Sequence, residues 1–125
     1  MNAFARFTRP APANAARITV DDAVAKAQLG EITILDVRGH DELAASGKAA
    51  GALHIPLMLV SSHADPRHPE CHAALDTSKP VAVYCASGGR SGMACQQLQQ
   101  LGYENVHNIG GFGDWVRAGG KTETV

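Results

Sequence analysis

Residues 81–91 read VAVYCASGGRS. A β-prone apolar run, residues 81–84, leads straight into Cys85, which opens a loop almost bare of side chains, with Arg90 and Ser91 at its far end. A cysteine is a strong nucleophile only as thiolate, and a free thiol has a pKa of about 8.5. Three features of this stretch favour the anion. Gly88 and Gly89 let the backbone curl until successive N–H groups point inward, an anion nest. A helical pattern beginning near Ser91 aims its positive end at the loop, worth roughly half an elementary charge. Arg90 adds a full charge and Ser91 a hydroxyl. Each unit by which the pKa falls corresponds to about 1.4 kcal/mol of preference for the thiolate. The expected chemistry is covalent catalysis with Cys85 as nucleophile. The main chain of Ala86, Ser87, Gly88, Gly89, Arg90 and Ser91 would hold the reacting group. Small residues follow the cysteine because bulky ones would block those amides.

The elements that must position this loop are short. Ile18 is expected to open a strand, and Thr19 to cap a helix with Asp22 as its capping-box partner, ended by Gly30. Residues 32–37 form an apolar run suited to a strand buried on both faces, stopping at Asp36-Val37-Arg38. Residues 40–45 suit a short helix that Gly47 ends, and residues 51–56 a brief strand that Pro56 closes. A polar, proline-bearing connector leads to the strand at 81–84. The helix after the loop carries Ala94, Leu98 and Leu101 on one stripe. A last strand lies within 104–109, Gly110-Gly111 turn the chain, and Phe112 and Trp115 anchor a final helix. Strands alternating with helices imply an α/β fold with a mainly parallel sheet and helices on both faces. Ligands in such sheets sit beyond the carboxyl ends of the strands. Cys85 lies there, and so do Asp36 and Arg38, which are candidate supporting residues with a structural role as the alternative. A local turn would pair Arg38 with Glu42.

The chain has 125 residues, room for one domain. Residues 17–119 are read as that domain, residues 1–16 as an N-terminal tail and residues 120–125 as a C-terminal one. A net charge of −1 gives no basic field for nucleic acid. No apolar run approaches the roughly 20 residues of a membrane span. Three cysteines without a C-x-x-C pair point to free thiols and a reducing compartment, here the cytoplasm. The N-terminus carries Arg6, Arg9 and Arg17 but lacks the apolar centre of an export signal. His63, His68, Cys71 and His72 fit no tight zinc spacing, so no metal site is expected. Cys95 reads as core and His54 as packing.

Four residues separate Cys85 from Arg90. Cysteine phosphatases carry a longer C-x5-R loop, which cradles a tetrahedral phosphate; a tighter ring suits one extra sulfur. The sequence resembles the rhodanese family of sulfurtransferases in its single-domain form. The resemblance rests on Val83-Tyr84-Cys85 with Gly88, Arg90 and Ser91, on LDVR at 35–38 followed by Glu42, on GALHIP at 51–56 and on GGFGDW at 110–115. It implies a three-layer α/β/α sandwich around a five-stranded, mainly parallel sheet. It also implies that Cys85 takes a sulfane sulfur from thiosulfate or a similar donor and, as a persulfide, passes it to cyanide or a thiol. A thiol protein or glutathione would serve as acceptor, Arg90 would ease the charge of departing sulfite, and no cofactor is implied. Lys48 and Ala49 depart from the family pattern, and Ala86 stands where thiosulfate-preferring loops often hold a basic residue. The alternatives are a non-catalytic rhodanese-like module and a cysteine-dependent phosphatase or arsenate reductase.

Overall fold

The computed structural model describes residues 18–125, so the expected tail at 1–16 lies outside the described residues. In chain order the elements are α1 (Val20–Gln28), β1 (Thr33–Asp36), α2 (His40–Ser46), β2 (Lys48–Ala49), β3 (Leu53–His54), a 3-10 turn (Leu57–Leu59), α3 (Val60–His63), β4 (Val81–Cys85), α4 (Gly89–Gln100), β5 (Val106–Gly111), α5 (Phe112–Arg117) and β6 (Thr122–Glu123). The main sheet runs β3-β1-β4-β5 and all its pairings are parallel.

Strand periodicity divides the core in two. Val81, Val83 and Cys85 of β4 share one face with Leu35 and Val37, against Val60, Ala64, Ala94, Cys95 and Leu98. Ala82 and Tyr84 face the other way with Ile34, against Ala23 and Val24 of α1 and Trp115 of α5. Every residue of β4 is buried, which is why it reads as a continuous apolar run and not as an alternating one. Helices thus cover both faces of the sheet, the α/β/α arrangement. Among the described residues no helix is long and apolar enough to cross a membrane.

Several expectations are corrected. The main sheet has four strands among the described residues, not five. Ile18 forms no strand, because Thr19 already caps α1: its hydroxyl accepts the Asp22 amide and the Asp22 carboxylate accepts the Thr19 amide. Ile18 packs into the second core cluster instead. Cys85 is the last residue of β4 and not the first beyond it, and α4 begins at Gly89. Gly110 and Gly111 belong to β5.

Residues 120–125 are not a free tail. β6 pairs antiparallel with β2, setting Lys48 opposite Glu123, and their side chains form an ion pair. Trp115 Nε1 donates to the Lys121 carbonyl at 2.8 Å, and a Cβ on Gly120 would overlap the indole. The Ala50 amide donates to the same carbonyl at 2.9 Å. Trp115 therefore anchors the chain's end as well as its last helix.

Tyr84 reaches through the second cluster so that its hydroxyl accepts the fully buried Ala49 amide at 2.9 Å. Tyr84→Phe leaves that N–H unpaired and is expected to cost about 1–3 kcal/mol. Urea unfolding will show a lower midpoint with an unchanged slope; an unchanged midpoint refutes the assignment.

Candidate active site

The loop after β4 is shaped by glycines on both sides of it. Gly88 has φ +105°, a left-handed conformation that reverses the chain into α4. Opposite, β5 carries one extra residue relative to β4, since Val83 pairs with Asn108 but Cys85 with Gly111. Gly110, at φ +94°, absorbs this bulge. A Cβ on Gly111 would overlap the Ala86 carbonyl oxygen, so only glycine lets the two strand ends approach so closely.

Cys85 Sγ, at the bottom of the loop, accepts a hydrogen bond from the Gly88 amide at 3.0 Å and lies 3.4 Å from Ser91 Oγ. Burial disfavours its thiolate. Hydrogen bonding by the Ser91 hydroxyl and by the amides of Ser91, Gly88 and Ser87 outweighs that, and the pKa falls to about 7. By contrast, burial without such donors pushes the Cys95 thiol up to about 12, leaving it an inert core residue. Cys71 is half-buried on the connector and its thiol is also shifted up, by burial first.

Asn108, which the strand pattern concealed, ties these parts together. Its Nδ2 donates to the Gly88 carbonyl at 3.0 Å. Its Oδ1 accepts the Ser91 hydroxyl at 2.7 Å and the Gly110 amide at 3.0 Å. One side chain thus spans loop, helix start and bulge. The available signal was a polar, β-poor residue two places before a glycine pair.

Asp36 and Arg38 do not join the loop. Both are buried, and Arg38 Nη2 meets Asp36 Oδ2 at 2.8 Å. The remaining Arg38 donors go to Ser46 Oγ at 2.9 Å and the Gly47 carbonyl at 2.6 Å, and the guanidinium lies 4.5 Å from the Phe112 ring centroid. The expected Arg38–Glu42 pair is therefore replaced: Asp36, two residues away on the same strand end, captures Arg38 through its backbone amide as well as its side chain. Glu42 turns instead to Arg90, with Nη1–Oε1 at 2.7 Å and Nη2–Oε2 at 2.8 Å. The Arg90 hydrogen bonds, joined by the Gly39 amide, hold the Glu42 carboxyl down at about 2. His54 Nε2 lies 2.6 Å from the Arg38 carbonyl oxygen and its ring packs edge-on against His40. Among the described residues no group of three or more His, Cys, Asp or Glu is placed to hold a metal ion.

The family model of the rhodanese-like domain matches residues 19–118. The chain belongs to this family. A sulfurtransferase from Allochromatium vinosum is 33% identical over 90 residues, 71% of this chain and 76% of that protein. Thiosulfate sulfurtransferase GlpE from Actinobacillus succinogenes is 33% identical over 109 residues, 86% of this chain and 90% of that protein. Among solved structures, a Rhodopseudomonas palustris protein of unknown function, described as a possible tyrosine phosphatase, aligns with TM-score 0.76 at 31% identity, covering 94% of this chain and 97% of that one. The rhodanese-like chain thus has relatives with sulfur-transfer names and a structural neighbour whose suggested chemistry differs.

Two measurements check the site. The rate of Cys85 alkylation by iodoacetamide should rise with pH through an inflection at about 7. Ser91→Ala should move that inflection upward; an inflection in the ordinary thiol range for the unaltered protein refutes the amide cradle. Secondly, because the Glu42 carboxyl is depressed from 4.5 to about 2, its pairing stabilises the fold fully above about pH 4.5 and is lost as pH falls toward about 2. The stability difference between the unaltered protein and Arg90→Met should therefore shrink across that window, as read by thermal unfolding at successive pH values.

Proposed function

We propose that this rhodanese-like protein is a sulfurtransferase working through a persulfide on Cys85. The observation that carries this reading is the Gly88 amide 3.0 Å from Cys85 Sγ, at the floor of a loop with no bulky side chain between Cys85 and Arg90. With a pKa of about 7, roughly half of the thiol is ionised at neutral pH, and no general base is required to activate it.

In the first half-reaction the Cys85 thiolate attacks the outer sulfur of a donor such as thiosulfate. The donor S–S bond breaks, its electron pair leaves with sulfite, and a new S–S bond forms on Cys85. The persulfide sulfur then rests among the main-chain amides of Ala86, Ser87, Gly88, Gly89, Arg90 and Ser91. In the second half-reaction a thiophilic acceptor, cyanide or a thiol such as glutathione or a protein cysteine, attacks that sulfur. The Sγ–S bond of the persulfide breaks, and its electron pair returns to Cys85 Sγ and restores the thiolate. Asp36 and Arg38 act at a distance, holding the neighbouring strand end and the end of α2 in place. The free thiols Cys71, Cys85 and Cys95 suit a reducing compartment, the cytoplasm.

Incubation with thiosulfate and cyanide should yield thiocyanate, and Cys85→Ser should abolish it. Mass spectrometry after thiosulfate alone should show one added sulfur on Cys85. No sulfur transfer from any donor, with turnover of an aryl phosphate instead, would overturn the proposal in favour of phosphatase chemistry.

A further inference from the structure

Four charged side chains gather near the carboxyl end of the main sheet, and they are taken up in pairs. Arg38 is enclosed by Asp36, Ser46 and Gly47. Arg90 gives one terminal nitrogen to each oxygen of Glu42, at 2.7 and 2.8 Å. This second pair is not a chance meeting of surface side chains. Glu42 Oε1 also accepts the Gly39 amide at 3.0 Å, which fixes the carboxylate over the first turn of α2 before Arg90 arrives. The bidentate fork then commits both terminal nitrogens of Arg90. The loop residues between Cys85 and Arg90 carry no charge. A donor approaching Cys85 therefore meets a thiolate, neutral amides and an arginine whose charge is already balanced.

We propose that Glu42 is a specificity-determining residue: by pairing with both terminal nitrogens of Arg90 and balancing its charge, it turns the site away from dianionic sulfur donors such as thiosulfate and toward donors carrying one negative charge or none. The inference rests on the sulfurtransferase reading above and deepens it. Thiosulfate remains a substrate, bound through the amides, but without an arginine to offset its second charge. Methanethiosulfonate offers the same reaction with one charge fewer. The Cys85 thiolate attacks its outer sulfur, the S–S bond breaks, and the electron pair leaves with methanesulfinate.

The test compares kcat and KM for these two donors, with cyanide as fixed acceptor, in the unaltered protein and in Glu42→Gln. Glutamine keeps a carbonyl for the Gly39 amide, removes the charge, and puts an NH2 that cannot accept from Arg90 in place of the second carboxylate oxygen. Glu42→Gln should improve thiosulfate relative to methanethiosulfonate by roughly three- to tenfold, through KM and not kcat, the scale of one partly screened unit charge near a protein surface. The improvement should fade as salt is raised. An unchanged ratio, or an equal change for both donors, overturns the inference; a persulfide on Cys85 from either donor would still leave the sulfurtransferase reading standing. Absence of a persulfide from both donors in the unaltered protein sinks that reading, and the inference with it. If Glu42→Gln does not fold, the unaltered protein decides. Its KM for thiosulfate should stay level or fall from low to physiological ionic strength, whereas a severalfold rise would reveal an uncommitted cation and refute the proposal.

Discussion

The rest of the site depends on a close approach of two main chains. β4 and β5 meet at Cys85 and Gly111 with no side chain between them, and a single Cβ on Gly111 would strike the Ala86 carbonyl. Because that space is free, the chain after Cys85 can turn tightly over its own strand end. Gly88 completes the turn at positive φ, and its amide arrives at the sulfur. The ionisation of Cys85 is thus a consequence of strand register. A side chain at Gly111 would lift the loop and withdraw the amides that oppose the cost of burying a thiolate.

The two arginine pairs near this end of the sheet look alike in sequence, each an arginine with an acid, yet they differ in kind. Arg38 and Asp36 are both buried. Their attraction is set against a large desolvation cost, so their value lies in fully satisfied hydrogen bonds that fix the end of β1 to the end of α2. Arg90 and Glu42 each keep more than a third of their side-chain surface exposed, at 38% and 36%. Such a pair adds a modest increment to stability, the one that acid removes, and no more. Its proposed consequence is electrostatic: it would set how much positive charge the loop presents to an incoming anion.

Much of the fold was legible in the residues because the relevant signals are local. The continuous apolar run of β4, the Thr19–Asp22 cap, Gly47 after α2 and the glycine loop all act over a few positions. What was not legible depends on partners far apart in sequence. Arg38 had three acids within four residues, Asp36, Asp41 and Glu42, and only the buried geometry of the strand end decides for Asp36. Glu42 is then left for Arg90, 48 positions away. Residues 120–125 are polar and short, and nothing in them announces a strand. Their order comes from Trp115, Gly120 and the partner strand at Lys48–Ala49. Asn108 gave the weakest signal, because a polar residue in an edge strand is ordinarily just solvent-facing.

Asn108 also shows how the protonation of Cys85 reaches into the scaffold. Ser91 has one hydroxyl proton and three acceptors within range: Asn108 Oδ1 at 2.7 Å, the Gly88 carbonyl at 3.1 Å and Cys85 Sγ at 3.4 Å. With Cys85 as a thiol, the S–H can donate to Ser91 Oγ while the hydroxyl serves Asn108. With Cys85 as thiolate, the sulfur becomes an acceptor only, and the hydroxyl can turn toward it. Asn108 Oδ1 then still accepts the Gly110 amide, so it is not left unsatisfied. The network tolerates both states without a buried polar group losing its last partner. In the proposed mechanism, a persulfide would place the reactive sulfur one atom further out, among the amides, and return the inner sulfur to a neutral, weakly accepting form. The hydroxyl could then swing back to Asn108 for that half of the cycle. A serine poised between an amide oxygen and a sulfur can therefore follow the charge of Cys85, while Gly88, held at its carbonyl by Asn108 Nδ2, keeps its own N–H aimed at the same place throughout.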